Sequence, residues 1–214
     1  MRLARWGDAH SEGAGDMSEL ETLERELMEK ALKLAALRRA QTAPEIKDYD
    51  FQTLDGPTTL SALFAGRDRL LVIHNMGQGC RYCTLWADGI NGVLDHLEDA
   101  MAVALVSKDA PETQRRMALD RRWRIRIASH GGGAYMKEQC GMEGYDNLPG
   151  AAVYERSDGK IVRRGRTLFG PGDLYSPVWH FLALGGLEEK DWTPQFHYWS
   201  RPQQLEDGGE NVAD

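Results

Sequence analysis

Residues 70–97 read LLVIHNMGQGCRYCTLWADGINGVLDHL. Leu70, Leu71, Val72 and Ile73 form a short apolar run of the kind a buried strand needs, and His74 and Asn75 end it. A loop with Gly77 and Gly79 follows, then Cys80–Arg81–Tyr82–Cys83. Beyond it, Leu85, Trp86, Ile90, Val93, Leu94 and Leu97 recur at spacings of three and four, which is a helical period. The two cysteines therefore stand between a strand end and a helix start. Backbone N–H groups at a helix N-terminus favour an anion, so a thiol there ionises more readily. The spacing of three lets the second sulfur turn back on the first. Strand, loop, Cys-x-x-Cys and helix in that order point to a redox dithiol.

The whole chain bounds this reading. Its 214 residues suffice for one ordinary domain with extensions, and 42% hydrophobic residues support a real core. A net charge of −7 argues against general nucleic-acid binding, because phosphate contacts need basic surface. No apolar run approaches a membrane span. The first sixteen residues carry Arg2, Arg5 and Trp6 but no apolar signal core, so a cytoplasmic location is expected. Three cysteines do not suggest a disulfide scaffold.

Working outward, residues 1–16 lack periodicity and are expected to be disordered. Residues 17–43 hold an amphipathic helix opened by the capping box Ser18-x-x-Glu21. Leu23, Leu27, Leu34 and Leu37, with Ala31 between them, make its apolar stripe. Such a stripe packs on its own domain or, in a sharper reading, on a second copy as a homodimer. Residues 44–190 hold the main domain. Tyr49–Leu54 reads as a strand or hairpin arm, Met101–Val106 as a second apolar strand, and Pro111 as the first turn of a helix over 111–123. Ile125–Ala128 reads as a short strand and Tyr135–Met142 as a helical turn carrying Cys140. Ala151–Glu155 and Lys160–Arg164 read as a hairpin around Ser157–Asp158–Gly159. Asp173 is expected to cap a last helix through Trp179 and Leu184. Residues 191–214 form an extension whose aromatic part, with Trp192, Phe196, Tyr198 and Trp199, should pack on the domain, and which should be disordered after about 202.

This order of elements resembles the thioredoxin-like fold. More closely, the chain resembles a bacterial thioredoxin-like family of unknown function. The matching stretches are Lys47–Phe51, Leu60–Arg67, His74, Cys80–Asp88 (Cys-x-x-Cys-x-x-Trp-x-Asp), Val103–Ser107 and Pro149–Tyr154, and the likeness spans roughly 20–200. It implies an α/β fold, a central mixed sheet flanked by helices, with an added N-terminal helix and a C-terminal extension. Thioredoxins carry a buried acid six residues before the first cysteine, an offset that falls here on His74. Thioredoxin-like folds also place a cis-proline before the strand that faces the thiols, which implies a cis bond between Leu148 and Pro149. That bend would present the backbone of Leu148 to a peptide.

The site reading follows. Cys80, at the loop edge, is the expected attacking thiolate, aided by the helix N-terminus and by Arg81. Cys83, one turn in, is the expected resolving thiol, and His74 the group that takes its proton. Arg81, Tyr82, Leu148 and Pro149 are the expected substrate contacts. Trp86 reads as core, Asp88 as structural, and Cys140 as a buried small apolar residue. The partners would be a protein or small-molecule disulfide and a cellular thiol reductant, with no cofactor and no metal. Two alternatives stay open. A peroxiredoxin site reads Pro-x-x-x-Thr-x-x-Cys; laid on this chain, Met76 and Cys80 replace the Pro and Thr, Cys83 would meet the peroxide, and Leu148–Pro149–Gly150 stands where such enzymes carry an Arg. The other is a module without turnover, either one that keeps the fold as a binding unit or one that binds zinc, for which the cysteine pair needs two more ligands that Cys140, His74 and His130 could supply.

Overall fold

The computed structural model describes residues 18–198. The segments expected to be disordered, and Trp199, lie outside the described residues. The chain divides into two compact units, Met1–Thr42 and Ala43–Asp214.

The first unit is helix α1, Glu19–Ala40. The Ser18 hydroxyl accepts from the Glu21 amide at 3.3 Å, and the Glu21 carboxylate accepts from the Ser18 amide at 2.8 Å. Two of the four orphan donors of the first turn are thus satisfied. Glu19 and Glu21 at the start and Arg38 and Arg39 at the end suit the helix dipole. None of its residues is buried.

The second unit is built on one sheet of eight strands: β1 Glu45–Ile46, β2 Asp50–Thr53, β3 Gly56–Thr59, β4 Arg69–His74, β5 Ala102–Ser107, β6 Arg126–Ser129, β7 Gly150–Ser157 and β8 Lys160–Leu168. Their order across the sheet is β1-β8-β7-β4-β5-β6-β2-β3. β4, β5 and β6 run parallel, and every other pairing is antiparallel. Strand β4, the apolar run of the sequence, is central, and β5 is buried along its whole length. This mixed sheet, with helices α2 Leu60–Leu63, α3 Arg81–Gly92, α4 Leu94–Ala100, α5 Pro111–Asp120 and α6 Pro177–Leu184, is the thioredoxin-like arrangement, with α1 and a C-terminal extension added.

The alternation of β4 divides the core in two. Leu70 and Val72 join Tyr49, Phe51, Phe64, Tyr135 and Tyr154 in one cluster. Ile73 joins Trp86, Ala87 and Ile90 of α3, together with Val103, Leu105 and Trp179, in the other. Side chains of this size contribute roughly 1.5–3 kcal/mol each on full burial, so the α3 face alone anchors the helix firmly.

Several boundaries differ from the sequence expectation. The helix after the cysteines breaks at Val93 into α3 and α4. The Asn91 side chain accepts from the Arg124 amide at 2.7 Å, and Gly89 and Gly92 weaken that stretch of helix. Helix α5 ends at Asp120, three residues early, because Arg122 takes a left-handed φ of 57°. Asp173 does not cap α6. Its carboxylate accepts from the amides of Gly170, Tyr175 and Ser176 in the preceding loop, and the helix opens on Pro177. Strand β8 runs four residues past Arg164, since Arg163 and Arg166 find acceptors on the π-helical turn Met136–Cys140 and on Gly141. The turn Asp158–Gly159 matches its reading, with φ of 51° and 78°. In the extension, Trp192 meets Trp179 at 5.9 Å between ring centres and Phe196 is buried.

Candidate active site

Cys80 and Cys83 are joined as a disulfide, with Cα atoms 5.2 Å apart. Cys80 is the N-cap of α3, in extended conformation, and its sulfur accepts the Cys83 amide at 3.1 Å. The sulfur occupies the place that a Ser or Asp oxygen takes in an ordinary cap. A thiolate there would keep that N–H and the dipole of a twelve-residue helix. Cys80 is half-buried and Cys83 is buried at 3% exposure, so reagents reach the first sulfur before the second.

The loop before the helix is held by three side chains that sequence reasoning did not single out. Asn75 accepts from the Gly77 amide at 2.8 Å, and Asp109, just beyond the end of β5, accepts from the Gln78 amide at 2.7 Å. Asn147 donates to the Met76 carbonyl at 3.1 Å. Gly77 has φ of 131°, and a Cβ there would lie 2.9 Å from the Asp109 carboxylate, so only glycine fits. A polar residue just past a strand end is the signal Asn75 and Asp109 give in the sequence, and Asn147 stands just ahead of a strand.

Asn147 also ties the segment before β7 to the cysteine loop. Leu148 and Pro149, both half-buried, are thereby brought beside it. The Leu148 amide donates to the Cys140 carbonyl at 2.9 Å, and the Pro149 carbonyl accepts from the Phe169 amide at 2.9 Å. Arg81 lies over the Tyr82 ring at 6.0 Å, and Tyr82 stacks on Trp179 at 6.2 Å.

His74 follows Leu70 and Val72 onto the sheet face opposite the body of α3. Its Nε2 is 2.8 Å from the Tyr135 hydroxyl, and Nδ1 has no hydrogen-bond partner. Burial, reinforced by the positive charge of Arg166, lowers its pKa to about 3, so the ring is neutral near pH 7. His130 is also buried. Its Nδ1 accepts from the Gly132 amide at 3.2 Å and burial lowers its pKa to about 4.

The remaining candidates sort by environment. Trp86 is core, at 2% exposure. Asp88 accepts from the indole of Trp123 at 2.7 Å and pairs with Arg121, whose guanidinium also reaches the Phe196 carbonyl. Arg121 is therefore part of the fold. Cys140 is fully buried, and burial pushes its thiol up to about 12. Among the described residues, no three His, Cys, Asp or Glu side chains converge as metal ligands, so the zinc alternative has no ligand set there.

Solved structures extend the comparison. Reduced Prx3 from Vibrio vulnificus superposes with a TM-score of 0.50 at 15% identity, covering 68% of this chain and 98% of that one. Peroxidoxin BcpB from Mycobacterium tuberculosis gives 0.47 at 19% identity, covering 56% and 82%. A peroxiredoxin Q structure from Xanthomonas campestris gives 0.48 at 15%, covering 63% and 89%. At these identities the likeness speaks to the fold alone. No curated protein matches the sequence. The family model described as "Bacterial protein of unknown function (DUF899)" matches residues 11–199, and the chain belongs to that family.

Proposed function

We propose that this protein is a thiol-disulfide oxidoreductase working in the reducing cytoplasm through Cys80 and Cys83. The observation that carries the reading is the Cys80 sulfur at the N-cap of α3, accepting a backbone amide while its partner sulfur lies buried one turn further in. In the reduced protein the Cys80 thiolate attacks a disulfide of a protein or small molecule. A mixed disulfide forms, and the first thiolate of the substrate leaves and takes a proton from water. Cys83 then loses its proton and attacks the Cys80 sulfur. The intramolecular disulfide forms, and the second substrate thiolate leaves and is protonated. Two electrons have passed to the substrate; a cellular thiol reductant returns them and is itself oxidised to a disulfide. His74 takes the Cys83 proton, directly or through a water. With a pKa of about 3 it acts as a relay and not as a store. Arg81, Tyr82, Leu148 and Pro149 border the approach to Cys80.

The test is twofold. Reduced protein is assayed for turnover of a protein disulfide, hydrogen peroxide and an organic hydroperoxide, and Cys83→Ser and Cys80→Ser are challenged with the disulfide. Disulfide turnover is expected, with a mixed disulfide trapped at Cys80 in Cys83→Ser and none in Cys80→Ser. His74→Ala should slow release more than attack. Peroxide turnover that survives in Cys80→Ser and is lost in Cys83→Ser would instead establish the peroxiredoxin-like reading.

A further inference from the structure

His74 begins a buried chain of hydrogen bonds whose direction can be deduced from the ends. Arg163, on β8, can only donate, and its guanidinium lies 2.8 Å from Gln139 Oε1. That fixes the amide of Gln139 with its oxygen toward Arg163 and its nitrogen toward Tyr49, to whose hydroxyl it donates at 2.9 Å. The far end agrees. Tyr49 donates at 2.7 Å to Glu138, a carboxylate that can only accept and that Lys47 also holds, at 2.6 Å. Its one proton is thereby used, so its oxygen must accept from Gln139.

The near end follows by the same accounting. Tyr154 donates to Gln139 Oε1 at 3.3 Å, so its oxygen is the acceptor in the 3.1 Å contact with Tyr135. Tyr135 spends its proton there, so its oxygen accepts from His74 Nε2 at 2.8 Å. His74, Tyr135, Gln139 and Tyr154 are each at most 4% exposed, so water does not offer substitutes. The opposite polarity would leave a buried imidazole N–H at Nδ1 with no acceptor, the costlier kind of orphan.

We propose that Arg163 is a positioning residue for His74: through Gln139, Tyr154 and Tyr135 it holds the imidazole in the Nε2–H tautomer and leaves Nδ1 as a bare lone pair. On the disulfide-exchange reading, Nδ1 is the one ring atom of His74 left able to accept a proton from Cys83. This catalytic consequence rests on the disulfide-exchange reading; the tautomer does not. Because the ring is neutral near pH 7, one tautomer rather than a titration mixture is observed there.

Long-range proton–nitrogen correlation spectra of the full, nitrogen-15-labelled chain read the tautomer directly. The native protein should show His74 protonated at Nε2; protonation at Nδ1 would overturn the proposal without any variant. Arg163→Glu together with Glu138→Gln supplies an acceptor where a donor stood and frees the Tyr49 proton from the carboxylate, so the Gln139 amide should turn over, each hydroxyl in the chain should reverse, and His74 should move to Nδ1–H. Retention of Nε2–H in the folded double variant would also overturn it. Adding Tyr135→Phe should remove the dependence on residue 163, and a tautomer that still follows residue 163 would mean another route and sink the assigned chain. In the same variants the release step of disulfide exchange should slow about tenfold when Nδ1 carries the proton. An unchanged release rate with a reversed tautomer would remove the catalytic role and leave the structural relay standing.

Discussion

His130 shows what burial does to a single ionisable side chain. Its folded pKa is about 4 against an ordinary 6.5, because the imidazolium would lose its hydration. The unfolded chain therefore binds more protons between those values, and stability falls as pH drops through that window. The stabilisation is fully present above 6.5 and shrinks toward 4. His130→Asn keeps an acceptor for the Gly132 amide and removes the titration. Between pH 7 and pH 5, the native protein should lose about 2 kcal/mol more than the variant, read as the shift in urea midpoint. His74, lowered further still, contributes in the same direction in both proteins. At this scale the sequence was informative where chemistry depends on immediate neighbours. The cap position of Cys80, the depth of Cys83 and the inert burial of Cys140 followed from periodicity and residue type. The neighbours of His74 did not, because Tyr135, Tyr154 and Gln139 lie 61 or more residues away along the chain.

Among the elements, α3 and the turn that follows α5 are locked together by Asp88. It serves the Trp123 indole and Arg121 at once, and through Arg121 it reaches the extension at Phe196. Asp88→Ala leaves the buried Trp123 N–H without an acceptor and should destabilise by about 1–3 kcal/mol in urea denaturation. Asp88→Asn keeps the indole acceptor and should cost less than the alanine change. A loss equal in both would show that the Arg121 charge pair matters more than the indole bond. The sequence marked Asp88 as structural but gave no partner for it. Element lengths were legible where capping or turn residues set them, as for α1 and Asp158–Gly159. They were not legible where a side chain bonds a distant group, as for Asn91 inside the long helical pattern or Arg163 and Arg166 in β8.

For the whole molecule, the open matter is assembly. On one face of α1, Leu20, Leu23, Leu27 and Leu37 are each more than half exposed, and Leu34 between them is exposed as well. So regular a row of leucines on a capped helix is an apolar surface of the kind that associates. We propose a homodimer through this helix. Light scattering at micromolar concentration should give twice the chain mass, and Leu27→Glu should return it to the monomer; a monomeric native protein would end the idea. No helix among the described residues is long and apolar enough to cross a membrane.

What the sequence determined by itself was local. The apolar run, the glycine loop, the Cys-x-x-Cys and the helical period placed two sulfurs at a helix start, since each rests on residues within one turn or one strand of one another. The choice of a thioredoxin-like sheet followed from the order of such elements. What only the tertiary structure decided was which distant groups meet. Strand pairing set His74 against Gly150 of β7 and Val106 of β5, and the pleat turned its ring toward Tyr135. The loop after β5 brought Asp109 onto the Gln78 amide, and the segment before β7 brought Asn147 onto Met76. Hydrogen bonds of this kind join residues with no local pattern in common, so they exist only once the chain has closed on itself.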